Sequence, residues 1–158
     1  MKQTISTALA ALALSGAAAA PAVADDASLK QTVEHQERSG TRALNAFNKA
    51  TDAWRKSGSD ADLKKLRSAT GRQLTQIERY QEAVEAEEPS SKPYAKAKRA
   101  LLTALGQLED GYTSLNRAFA RLLEGESRRA VLREVRAADR KLDAASASLK
   151  RAKLLIGD

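Results

Sequence analysis

Residues 94–122, YAKAKRALLTALGQLEDGYTSLNRAFARL, decide the fold. Tyr94, Ala97, Leu101, Ala104, Leu108, Gly111, Leu115, Ala118 and Leu122 alternate steps of three and four without a break. Leu105, Tyr112 and Phe119 widen that stripe every seven residues. A helix turns once in about 3.6 residues, so these side chains share one face, broad enough to cover a core. The flanking residues are Lys, Arg, Glu, Asp and Gln, good helix formers that suit the wet side.

The same reading extends in both directions. Val131, Val135, Ala138, Leu142, Ala145, Leu149, Ala152 and Ile156 form a second stripe, and Leu63, Leu66, Thr70, Leu74, Ile77, Tyr80 and Val84 a third. Leu29, Val33, Leu44, Phe47 and Trp54 form a fourth, weakened in its middle by Gln36, Glu37 and Gly40. Continuing the first stripe past Leu122 would bury Arg129, Arg136 and Asp139, so the helix must break between them. The punctuation agrees: Ser57-Gly58-Ser59, the run from Glu88 to Pro93, and Gly125. Ser59 with Asp62 resembles a capping box, Pro93 suits a first helical turn behind Ser90 or Ser91, and Gly125 and Gly157 suit C-terminal caps. The expectation is four helices near 27–56, 60–88, 93–124 and 126–156. Joined by short turns, they predict an all-α, up-down-up-down four-helix bundle over residues 25–158. The alternative is a pair of helical hairpins that bury their stripes only as a dimer.

Residues 1–24 read as a secretory signal peptide. Lys2 is followed by an Ala- and Leu-rich run from Ile5 to Ala20 and a small-residue site, Ala22-Val23-Ala24. The run is barely long enough for a membrane anchor and, being Ala-rich rather than Leu-rich, partitions weakly into lipid. No Cys follows the site and no twin arginine precedes the run, so the expected route is general secretion from a bacterial cell.

Composition excludes several chemistries. The 158 residues hold no Cys, which removes disulfides, thiol nucleophiles, iron–sulfur clusters and c-type haem links. The single His, His35, removes multi-histidine metal sites, and Met1 is the only methionine. A di-iron bundle needs Glu-x-x-His twice, and Thr32 stands three residues before His35. No cofactor, metal site or catalytic set is expected, and an enzyme is the most remote alternative. His35 lies opposite Leu44 on the wheel and is expected in solvent. Trp54, one turn before Gly58, is expected to seal an end of the core. Glu78, Glu82, Glu85, Glu87 and Glu88 are expected to pair with Lys96, Lys98 and Arg99 across the Pro89–Pro93 turn.

Charge carries the functional expectation. Residues 25–91 hold 11 basic and 12 acidic side chains; residues 92–158 hold 15 and 8. In the fourth helix Arg129, Arg133, Arg136 and Arg140 recur at i, i+4, i+7 and i+11, opposite the apolar stripe. Lys141, Lys150, Arg151 and Lys153 extend the charge. Guanidinium forks in a row suit phosphate and carboxylate. The expected activity is binding, through Arg129, Arg133, Arg136, Arg140 and Arg151, to an anionic cell-wall polymer, lipid headgroups or an acidic protein outside the cell. Nucleic acid is not expected, because aromatic side chains for base stacking are not interleaved with the arginines. The alternative is protein–protein or chaperone-like binding in an apolar groove, by a monomer or homodimer.

Overall fold

The computed structural model describes residues 24–157, and the expected signal peptide lies outside these apart from Ala24. The described chain is all-helical: α1 (Ala24–Ser57), α2 (Asp60–Glu85), α3 (Lys92–Leu123) and α4 (Arg128–Gly157), with no strand among the described residues. No helix among them is long and apolar enough to cross a membrane.

The turns are built from side chains the sequence places at them. Gly58 takes φ +62°, and its N–H donates to Trp54 O at 2.8 Å, closing α1. Ser59 caps α2 by accepting from the Asp62 N–H at 3.2 Å. The reciprocal half of a capping box is missing. The Asp62 carboxylate instead accepts from the Ser57 hydroxyl at 2.6 Å and from Lys65 at 2.9 Å. These partners hold the Asp62 carboxyl below its usual range, Lys65 first and Ser57 next.

α2 stops at Glu85, short of the expected residue 88. Lys98 Nζ donates to the carbonyls of Glu85 and Glu87, at 2.8 and 2.6 Å, and so satisfies the end of α2. Asp26, only 5% exposed, accepts from the N–H groups of Ser90 and Ser91 at 3.1 and 3.3 Å and pins the turn to the start of α1. Ser91 then caps α3, with Pro93 in its first turn.

Gly125, at φ +91°, ends α3 in a left-handed cap, with Gly125 N–H on Leu122 O and Glu126 N–H on Arg121 O. Ser127 accepts from the Ala130 N–H, so α4 begins at Arg128 rather than 126. Gly157, expected as a cap, is instead the last helical residue, without positive φ.

α1 packs on α2, α2 on α3, and α3 most closely on α4. Each neighbour runs antiparallel to the last. Ser39 and Gln36 of α1 meet Gln76 of α2, Gln81 of α2 meets Glu109 of α3, and the Tyr94 hydroxyl at the start of α3 donates to Ile156 O near the end of α4. The core runs through all four helices, with Leu29, Phe47, Leu66, Val84, Leu101, Leu105, Leu115 and Val131 almost wholly enclosed. Phe47 meets Tyr112 edge-on at 5.4 Å, and Trp54 meets Phe119 at 6.1 Å, joining α1 to α3. Many core positions are alanine, and at Gly111 the absence of a side chain lets Leu142 of α4 lie against the α3 backbone. A Cβ at Gly111 would stand 2.6 Å from Leu142 Cδ2.

The seam between α1 and α4 is spanned by long polar side chains. Glu37 of α1 and Lys153 of α4 form an ion pair with side chains 17% and 13% exposed. Burial pushes the Lys153 ammonium down to about 8. Gln36 and Glu37, two of the residues that interrupt the apolar stripe of α1, thus have partners on α2 and α4, and the neighbouring Ser39 also bonds to Gln76.

Candidate functional site: the outward face of α4

The apolar stripe of α4 buries Val131, Ala138, Ala145, Leu149, Ala152 and Ile156 against the other helices. That burial fixes the rotation of α4 and turns the opposite face outward. Arg129, Arg133, Arg136 and Arg140 are all exposed, at the spacing that puts them in one line. Among the described residues none of the four is within ion-pair distance of a carboxylate. Arg151, eleven residues beyond Arg140, is exposed on the same side, and Lys141 and Lys150 are exposed to either side of that line. Lys153 is the exception to the sequence reading: it turns inward to Glu37 and adds nothing to the surface.

Two of the three acidic residues of α4, Glu134 and Asp139, are turned away from the row. Glu134 accepts from Arg121 Nη1 of α3 at 2.6 Å, while the same guanidinium forks onto Glu126 with two contacts of 2.7 Å. These bonds hold the Arg121 guanidinium above its ordinary range and the Glu126 carboxyl below its own. Asp139 is half-buried toward α1. Burial first, and then the neighbouring Asp143, push its carboxyl up, while Arg55 of α1 opposes them. Its Oδ1 has no hydrogen-bond partner. Asp143 is the one exposed acid on α4.

Arg128, adjacent to the row in sequence, does a different job. Its guanidinium lies 5.4 Å from the Trp54 ring centre and donates to Gly58 O at 3.2 Å, fastening the start of α4 to the α1–α2 turn. Trp54 itself is half-buried between Phe119 and Arg128 and closes that end of the core. His35 is exposed.

The glutamates at the end of α2 do not form the expected ion pairs. Glu78, Glu82, Glu85 and Glu88 stand exposed, and Glu87 accepts from the Thr32 hydroxyl. Lys98 binds the carbonyls of Glu85 and Glu87 rather than their carboxylates, because unsatisfied helix-end carbonyls lie nearer to hand.

A wide, open trough of about 480 Å³ between α2 and α3 is lined by Lys64, Arg67, Ser68, Asn116 and Leu123. Among the described residues no three His, Asp or Glu side chains gather as metal ligands. In the core, the Gln73 amide nitrogen and the Tyr80 hydroxyl are buried without partners, and burial pushes the Tyr80 hydroxyl up.

One feature of the outward face was not singled out from the sequence. Among the described residues the exposed large apolar side chains are Leu132, 43% exposed, and Leu154, 67% exposed, and both belong to α4. The signal was present: neither residue fits the three-and-four stripe that begins at Val131. Set beside known proteins, the chain matches no family model, no curated protein and no solved structure.

Proposed function

We propose that this chain is an exported, non-enzymatic, up-down-up-down four-helix bundle that works by binding, and that the basic outward face of α4 docks on an anionic component of the bacterial envelope. The carrying observation is the row Arg129, Arg133, Arg136 and Arg140, exposed and without carboxylate partners among the described residues. The neighbouring Glu134, which would neutralise it, is drawn off by Arg121. Four guanidinium groups over three turns of helix, about 16 Å, match a repeating array of phosphates or carboxylates better than a single small ligand. Export rests on residues 1–24, and the monomeric bundle is supported by the burial of all four apolar stripes within one chain.

The test is direct. Replacing Arg129, Arg133, Arg136 and Arg140 together by Gln keeps good helix formers on an exposed face, so circular dichroism should be unchanged. Association of the purified protein with isolated envelope should be lost. Unchanged association in this variant refutes the assignment to α4.

A further inference from the structure

Resting on the α4 reading above, the structure suggests which anionic component is bound. Leu132 and Leu154 are the exposed large apolar residues among those described, and both fall on the helix that carries the arginine row. A single exposed leucine is ordinary in a folded protein. Two that share one helix face with five exposed arginines are not scattered. At 3.6 residues per turn, Leu132 lies beside Arg129 and Arg136, and Leu154 beside Lys150 and Arg151. Between these ends the outward positions Ala144 and Ala147 are exposed and small. Asp143 is the single exposed acid that interrupts the strip, whereas α4 as a whole has nine basic and three acidic residues. From Arg129 to Leu154 the strip is about 38 Å long.

A dissolved polyanion offers nothing to a leucine. A bilayer surface offers both needs at adjoining depths: phosphates for the guanidinium groups and, about 5–10 Å deeper, acyl chains for the apolar side chains. We infer that α4 lies flat on an anionic phospholipid bilayer, with its arginines at the headgroup phosphates and Leu132 and Leu154 dipping between the acyl chains. The long arginine stems allow the charge to stay at the interface while the helix settles. Each basic residue at such a surface adds about fivefold to partitioning, and full insertion of a leucine adds about tenfold.

The test compares two probes: vesicles of phosphatidylglycerol and phosphatidylcholine in equal parts, and soluble polyphosphate. The protein is expected to bind both, and to leave pure phosphatidylcholine vesicles unbound. Replacing Leu132 and Leu154 together by Ser should weaken binding to the mixed vesicles about tenfold or more and leave polyphosphate binding unchanged. Because the chain has no cysteine, Leu154→Cys also accepts a single polarity-sensitive dye, whose emission should shift to the blue on the mixed vesicles. Polyphosphate binding without vesicle binding, equal vesicle affinity in the serine variant, or a dye that reports only water overturns the bilayer inference and leaves the arginine face standing. Failure to bind either probe overturns both.

Discussion

Alanine at Gly111 and alanine at Gly71 should move stability in opposite directions, although both glycines lie inside helices. An added Cβ at Gly71 meets nothing within 4 Å, and the same holds at Gly106. There the substitution trades backbone freedom in the unfolded chain for a better helix former, a gain of about 0.5–1 kcal/mol at each site. At Gly111 the new carbon would stand 2.6 Å from Leu142 Cδ2, 2.8 Å from Cγ and 3.5 Å from the Leu142 nitrogen. Carbon atoms pack at about 3.5–4.0 Å, so the Leu142 side chain must swing away or α3 and α4 must part by about 1 Å. Such overpacking costs about 1–3 kcal/mol, against about 1 kcal/mol returned by helix propensity. The expected net is a loss of up to about 2 kcal/mol at Gly111, and the Gly111 and Gly71 variants should differ by about 2 kcal/mol. Thermal unfolding followed by circular dichroism resolves this, since 1 kcal/mol shifts Tm by about 3–5 °C in a domain of this size. Leu142→Ala should relieve the clash, making Gly111→Ala less costly in that background than in the wild type. A Gly111→Ala variant as stable as Gly71→Ala would refute the close approach of α3 and α4.

Other outcomes follow from the same contacts. Glu37→Gln leaves the Lys153 ammonium buried without its counterion and should cost about 1.5–3 kcal/mol in urea titration. Lys153 in the folded protein releases its proton at about 8, against 10.5 for the ordinary side chain. Through that window the unfolded chain holds more protons, so the stability of the Glu37→Gln variant should rise with pH, a slope missing from Glu37→Gln/Lys153→Met. Asp139 is held above its ordinary value of 3.8, so its contribution favours the folded state below that value and is lost as pH rises through its folded pKa. Asp139→Asn should therefore be neutral or stabilising at pH 7, and a clear loss of Tm would contradict the half-buried, partner-poor carboxylate. Arg128→Ala should cost about 0.5–1.5 kcal/mol through the lost Trp54 stacking and the bond to Gly58 O, and should change Trp54 fluorescence.

Helix positions were legible because the apolar stripes and their breaks are local features. The phase shift between Leu122 and Val131, with Gly125 between them, marks the α3–α4 turn without any knowledge of the fold. What the stripes do not carry is partnership across helices. Glu37 and Gln36 look like defects in α1 until Lys153 and Gln76 stand opposite them. Lys153 looks like a member of a basic surface until it turns to Glu37, and nothing local marks Arg128 as the partner of Trp54. The end of α2 at Glu85 is illegible for a similar reason: Lys98 of the next helix takes the carbonyls of Glu85 and Glu87. The arginine row was legible because an i, i+4, i+7, i+11 spacing opposite a buried stripe has only one place to go. Leu132 and Leu154 each look ordinary in a leucine-rich helix, and only their exposure in the folded chain sets them apart.

If the outward face of α4 docks on an anionic envelope surface, as proposed, retention on isolated envelopes must fall as salt rises. At about 0.15 M salt the Debye length is about 8 Å, so a contact made by exposed guanidinium groups is screened steeply as salt rises. The protein should be retained at low salt and released progressively toward high salt, and the variant with Gln at all four row positions should elute freely throughout. Retention indifferent to salt, or identical for wild type and variant, would contradict that docking.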